Sequence, residues 1–410
     1  MQKDKKQLPL DGIRILEWTA HMQGPIAARM LGDLGAEVIK VEDRDGGDPG
    51  RKTQQWGGIS QALKGGRFLG FEHNNLNKKS ITLDMRKEEG KEIIYELVRK
   101  TDVFLSNYRK GQAQRLGLAY ETLTQYNSQL VYARATGFGS RGPDSEQRAY
   151  DYTGQARSGL MAAIGEPGTP PTTLPAGSAD QVGATVLAYG VLAALLARDR
   201  LGMGQEVEVS LLGSMIHLQS FWVTASLALK QDMPKQERAK VHNPLWNHYR
   251  CADNKWIAFA VPQPDRHWHN FCNVVGIGAL EHDPRFENQE RRGENCQELI
   301  QILDKAFAAR TQGEWKSILE KDAEFAYALI GSISDLATDP QVIENEYLVD
   351  FDHPVAGTMK LVSCPVQFSK TPAEIRLPAP ELGQHTEETL NNILGYSHEK
   401  IAQLRKSEVI

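Results

Sequence analysis

Apolar positions recur in two rhythms along the first third of the chain. IRILEW (13–18) has the short apolar run of a strand, IAARMLGDLG (26–35) repeats at helical spacing and stops at Gly35, and AEVIKVE (36–42) returns to a strand pattern. Strand, helix and strand in that order predict a βαβ unit with parallel strands and a right-handed crossover. The rhythm continues with a helix from about 88 to 100, a strand at 102–107, helical pieces to about 126 and a strand at 130–137. Such alternation predicts an α/β sheet.

Further on, VGATVLAYGVLAALLARDR (182–200) is apolar almost all round, the mark of a buried helix, and Gly202 to Gly204 end it before a strand at QEVEVSLL (205–212). The large domain is therefore expected over 1–215, with a linker over 216–240 that includes the charged DMPKQERAK. A composition rich in Trp, His and Asn, HNPLWNHYRCADNKWIAFAVP (242–262), opens a smaller α+β domain over 241–330, with helices at 297–309 and 312–321. Residues 331–380 read as an extended return linker, and 381–410 as a helical segment rejoining the large domain.

Charge narrows the partners. The 47 basic and 52 acidic residues leave a net charge of −5 and are dispersed, so no basic stripe points to nucleic acid or an anionic membrane. Cys251, Cys272, Cys296 and Cys364 lie far apart, with no CxxC pair, so neither a metal site nor a disulfide framework is expected. The start, MQKDKKQLPLDG, lacks the apolar core of a signal peptide, and no stretch is expected to reach bilayer length. A reduced, cytoplasmic protein is the expectation.

Three stretches carry candidate chemistry. GFGSRG (137–142) satisfies the GxGxxG pattern after a strand, which would suit an NAD-dependent oxidoreductase, but Pro143 and PDSEQR do not open a helix. HMQGP (21–25) places Gly24 and Pro25 at a helix start, leaving backbone N–H groups that suit either an anion or nothing at all. In PAGSADQVGA (175–184), Ser178 or Asp180 would serve as an ordinary helix cap, yet the small residues around Asp180 leave room for a reacting partner, and a carboxylate in a roomy pocket can be a nucleophile.

Many blocks, in order and over nearly the whole length, resemble the class III CoA-transferases of the CaiB/BaiF type, typified by formyl-CoA and carnitine CoA-transferases. They include LDGIRILEWT, LGDLGAEVIKVED, GGDPGR, NKKSITLDM, TDVFLSNY, YDYTGQARSGLM, GEPGTPP, SADQVGATVLAYGVLAALLAR, GQEVEVSLL and ELGQHTEETLNNILGYSHEKI. The resemblance implies a Rossmann-like large domain with a parallel sheet, a smaller domain and an interlocked, ring-like homodimer. It also implies transfer of CoA from an acyl-CoA to a free carboxylic acid through an aspartyl-CoA thioester, with CoA as co-substrate and no permanently bound cofactor.

By the same resemblance the nucleophile is Asp180, with Gln23 beside it as a catalytic donor. Arg44, Lys78, Asn107, Tyr108, Arg115, Thr136, Phe138 and Tyr150 are implied in CoA binding, and His21, Met22, Trp246 and His248 in acyl recognition. Trp222, Tyr249 and His242 suit an aromatic or branched, benzylsuccinate-like acid paired with succinyl-CoA. Family racemases carry His where Tyr150 stands, and a phenol of pKa about 10 is a poor base at neutral pH, so transfer is preferred to the acyl-CoA racemase alternative. Pairing with a homologous subunit is a second alternative to the homodimer. The chain also departs from the formyl-CoA enzyme: it lacks the glycine-run loop, has Met22 where that enzyme has its active-site Gln, and has Arg109-Lys110 where Pro-Gly usually stands.

Overall fold

The computed structural model describes residues 7–410. The chain divides into two compact units: residues up to 162 with 173–232 and 345–410, and residues 163–172 with 233–344.

In the large unit, β1 (Arg14–Trp18), β2 (Glu37–Glu42), β5 (Lys78–Thr82), β6 (Val103–Ser106), β7 (Val131–Thr136) and β8 (Glu206–Ser210) form one sheet in the order β5-β2-β1-β6-β7-β8. Every neighbouring pair is parallel. Two-residue strands β3 (Gln55–Trp56) and β4 (Ile59–Ser60) make a small separate hairpin. Counted along the chain, the sheet strands lie third-second-first-fourth-fifth-sixth, the doubly wound order of a Rossmann-like domain. Its crossovers leave a crevice beyond the carboxyl ends of β1 and β6.

Alternation along each strand divides the core. Ile15, Val38, Val103, Leu105, Val131 and Ala133 face the first helix (Gln23–Asp33) and a long helix (Ser178–Leu201). Leu16, Ile39, Val41, Ile81, Phe104 and Tyr132 face the helix Glu88–Val98 and the C-terminal residues Leu390, Ile401 and Val409. On the first of these faces Ala27, Ala28, Ala184, Ala188 and Ala194 are small enough for close helix approach, which brings the amino ends of the two helices together.

The small unit holds an antiparallel sheet of β9 (His248–Arg250), β10 (Trp256–Phe259) and β11 (Tyr327–Ile330), with β10 central. Its core is aromatic: Tyr249, Phe259, Phe271, Phe307 and Trp315 are all buried and in mutual ring contact. A reciprocal cap between Thr311 and Glu314 starts the helix Gln312–Asp322.

Three expectations need correction. The expected 216–240 linker contains the end of one helix (Leu211–Leu218) and all of another (Ser220–Leu229). The expected return linker is not extended: residues up to 344 belong to the small unit, and β12 (Leu348–His353) pairs with β13 (Gly357–Val362) in a hairpin of the large one. The helix Ser178–Leu201 is, by length and composition, long and apolar enough to cross a bilayer, contrary to expectation. Its buried residues lie in the large unit's core, while Tyr189, Leu192, Leu196 and Leu201 on the same helix are exposed, so the expected all-round burial is only partly found. As Pro143 and PDSEQR imply, no helix follows GFGSRG until Asp151, and the Ser140 N–H of that loop is taken at 2.7 Å by the Glu208 carboxylate, an acid where a phosphate would have to bind.

Candidate active site

Asp180 lies in the first turn of the long helix, just after Gly177, whose φ of 90° is tolerated by glycine. Its side chain lines a cavity of about 370 Å³ at the carboxyl ends of β1, β6 and β7. Burial, reinforced by the nearby Asp151 carboxylate, pushes the Asp180 carboxyl up to about 7, against the pull of a hydrogen bond from the Gln23 backbone N–H. A basic carboxylate, short of charge partners, therefore faces an open cavity.

Opposite it, the turn after β1 is held from three sides. Asn107 Oδ1 accepts the Ala20 N–H at 2.9 Å while Asn107 Nδ2 donates to the Ala20 carbonyl at 2.6 Å. Asp48 Oδ1 accepts the His21 N–H at 3.1 Å, and Asn74 Nδ2 donates to the His21 carbonyl at 3.1 Å. These bonds keep His21 at φ 66°, an uncommon conformation for a residue with a side chain. The following Gly24 is needed for space, since a Cβ there would lie 2.6 Å from Thr19 Cγ2. Asp48 is itself fixed by the buried Lys40, whose ammonium lies 2.9 Å from Asp48 and 3.2 Å from Glu17. The product of this bracing is a fixed Gln23: its N–H meets Asp180, and its Nε2 is buried without a protein partner.

Sequence comparison identifies the frame. The family description "CoA-transferase family III" matches residues 10–386. The chain belongs to CoA-transferase family III. It is 32% identical to the (R)-2-hydroxy-4-methylpentanoate CoA-transferase of Clostridioides difficile, over 98% of this chain and 99% of that one. Identity to the succinyl-CoA–D-citramalate CoA-transferase of Chloroflexus aurantiacus is 30%, over the full length of both. Among solved structures, a CaiB/BaiF family protein from Brucella suis superposes with a TM-score of 0.83 at 27% identity, covering 95% of this chain and 100% of that one. As a family III CoA-transferase, the protein is an enzyme acting on acyl-CoA thioesters and carboxylates.

Of the residues that resemblance implied, Asp180, Gln23, His21, Met22, Asn107, Tyr108, Thr136 and Tyr150 line the one cavity. Within it, Asn107 has both amide ends engaged by Ala20, and Tyr108 stacks on Trp18 at 4.2 Å between ring centres. Tyr150 is exposed, with its ring edge-on to His21, while Met22 and Trp56 close over Gly177.

The others lie elsewhere. Lys78 is fully buried and donates to Glu17, the Pro25 carbonyl and Asn75, so its ammonium is sealed in the fold. Arg44 lines a different cavity with Thr82, Thr386 and Arg405. Arg115 is exposed at the end of a short helix (Lys110–Arg115) and Phe138 lies under the Arg157 guanidinium; neither lines the Asp180 cavity. Trp246 and His248 belong to the small unit, where they line a cavity of their own with Glu166 and Arg238. Tyr249 is a core residue whose hydroxyl donates to the Pro244 carbonyl, His242 packs beside Gly293, and Trp222 stands half exposed on the helix Ser220–Leu229.

Three cations escaped the sequence reading. Arg109, Lys110 and Arg148 line the cavity, and no ion pair engages any of them among the described residues. The adjacent Arg109-Lys110 just beyond a strand was the available signal. Arg134, by contrast, is neutralised within the sheet by Glu206 at 2.9 Å and Glu208 at 2.6 Å.

Proposed function

We propose that the protein moves CoA from a donor acyl-CoA to an acceptor carboxylic acid through an aspartyl-CoA thioester on Asp180. The Asp180 carboxylate attacks the donor carbonyl, breaking its C–S bond to give a mixed anhydride and CoA thiolate. The thiolate attacks the Asp180 carbonyl, releasing the donor carboxylate and leaving the aspartyl thioester. The acceptor carboxylate attacks that thioester, and the thiolate so released attacks the acceptor half of the new anhydride. Asp180 is regenerated, and acyl activation is conserved at each step, so no outside energy source enters.

The carrying observation is the open, weakly compensated carboxylate of Asp180 with a hydrogen-bond donor fixed against it. Charge develops on the carbonyl oxygens at each addition, and the Gln23 N–H and the unpartnered Gln23 Nε2 are suited to receive it. Arg109, Lys110 and Arg148 supply unpaired positive charge for the phosphates of CoA.

For the acyl pair we propose succinyl-CoA with an aromatic or branched acid. Names of relatives support both halves: succinyl-CoA appears in those from Chloroflexus aurantiacus and mouse, and phenyllactate in one from Clostridium sporogenes. An assay of succinyl-CoA against aliphatic, branched and aromatic acids tests this. Faster turnover with an unrelated donor would reject succinyl-CoA.

A homodimer completes the reading, interlocked as the family resemblance implies. Its support is apolar surface in the large unit: Phe221 is 71% exposed, Leu227 75% and Tyr189 71%. A monomer by sedimentation equilibrium at micromolar concentration, or a requirement for a homologous subunit, would rule it out. Cytoplasmic residence is proposed from the CoA chemistry and four free cysteines, and cell fractionation tests it.

A further inference from the structure

The helix that carries Asp180 lacks a cap of its own. Its N-cap position is Gly177, which has no side chain, and the Ser178 hydroxyl turns back to the Pro175 carbonyl at 2.7 Å. The first-turn N–H groups need an acceptor, and Asp180 would be the usual local candidate. Asp151, 29 residues before Asp180 in the chain, takes that place instead. Its Oδ1 accepts the Ala179 N–H at 2.6 Å and lies 3.4 Å from the Asp180 nitrogen.

Asp151 is itself fixed. Its Oδ2 accepts from Gln155 Nε2 at 2.9 Å, and Gln155 Oε1 accepts the Leu174 N–H at 2.9 Å, so one buried amide ties Asp151 to the segment leading into the Asp180 helix. Gly154 makes the approach possible: a Cβ there would lie 2.9 Å from Leu211 Cβ and 3.6 Å from Ala179 Cβ. Asp180 is thereby relieved of capping and is free to face the cavity, with the Asp151 carboxylate held beside it.

We infer that Asp151 is a positioning residue for the transfer reaction: it caps the Asp180 helix from outside and holds a fixed negative charge next to the nucleophile. This rests on the proposed role of Asp180. Other ionisable groups lining the cavity are His21 from the turn after β1, Tyr150 at the start of the Asp151 helix, and Arg134 from β7, whose charge is met by Glu206 and Glu208. Tyr108, Arg109 and Lys110 follow β6, and Arg148 precedes Tyr150. Asp151 is the group whose like charge raises the Asp180 carboxyl beyond the effect of burial.

The test is Asp151→Asn, which keeps an acceptor oxygen and removes the charge, beside Asp151→Ala, which removes both. Protein labelled with 13C at the aspartate carboxyl carbons allows the Asp180 resonance, assigned by its loss in Asp180→Asn, to be titrated without any turnover. The expected result is a fall in the Asp180 midpoint of about one pH unit in Asp151→Asn. The acid limb of kcat/KM for transfer should shift equally, with donor KM unchanged within about twofold. Asp151→Ala should lose a further factor of about ten in kcat; should it fail to fold, the Asn variant alone decides. An unmoved or raised midpoint in Asp151→Asn overturns the inference, because a residue that only shapes the fold would leave the titration in place. Should the midpoint fall while wild-type protein transfers no CoA, the proposed function fails and the geometry of this pair stands.

Discussion

Gly183 lies one helical turn beyond Asp180 and keeps open the space that the Gln23 carboxamide fills: a Cβ at 183 would lie 2.6 Å from Gln23 Nε2 and 3.1 Å from its Cδ. Asp180 and the Gln23 carboxamide thus meet at one helix face, and the glycine sets how near they come. Gly183→Ala is expected to displace the amide and lower kcat by about 10- to 100-fold, the scale of losing one oxyanion donor, with an unchanged far-UV circular dichroism spectrum. Equal kcat in Gly183→Ala and wild type would remove Gln23 Nε2 from the mechanism.

Asn107 has both ends of its amide bonded to the Ala20 backbone. Asn107→Ala frees both backbone groups of Ala20 and relaxes the strained His21, so kcat should fall by about tenfold or more while the KM for acyl-CoA changes little. The comparison is steady-state kinetics on the two proteins. A loss confined to KM would return Asn107 to the CoA-binding surface.

The raised Asp180 carboxyl has a stability counterpart. Between its ordinary value of about 4 and the folded value of about 7, the folded state holds a proton that the unfolded state releases, so this group's contribution is full below the lower value and is lost as pH rises through the upper. Asp180→Asn carries no such ionisation. Its melting temperature should exceed that of wild type by a few degrees at about pH 8 and match it closely at about pH 4. Equal differences at both pH values would show that Asp180 ionises at no net cost.

Cavity cations predict salt dependence. Arg148→Ala and Arg109→Ala should each raise the KM for acyl-CoA several-fold at low ionic strength, and less at about 0.5 M salt, where exposed charges are screened. Lys78→Met serves as the contrast, since removing a sealed ammonium leaves Glu17 short of a partner and should lower stability instead. An acyl-CoA KM indifferent to both arginines would place the phosphates elsewhere.

Much of this architecture was legible in order and type. Strands whose residues alternate between two apolar faces gave clean signals, which is why β1, β2, β6, β7 and β8 were anticipated with nearly their observed limits. β5 was not: its KKSIT run begins with two lysines, and hydropathy cannot tell that Lys78 is buried by ion pairing. The helix Ser220–Leu229 was read as linker, because its apolar residues surround it and leave no periodic face. At the site, motif order located Asp180, Gln23 and the β1 turn. Cation identity did not separate Arg148, free in the cavity, from Lys78, sealed beneath the turn. Nor could spacing reveal Asp151, whose contact with the Asp180 helix joins residues far apart in the chain.

The central claim is a covalent aspartyl-CoA thioester on Asp180, and intact-protein mass spectrometry after incubation with succinyl-CoA tests it most directly, run beside Asp180→Asn. The account predicts a CoA-sized adduct on the wild type that hydroxylamine removes and the variant never forms. An equal adduct on Asp180→Asn would contradict it. So would CoA transfer with no adduct under any donor, or solvent deuterium entering the α-carbon of an acyl-CoA without transfer.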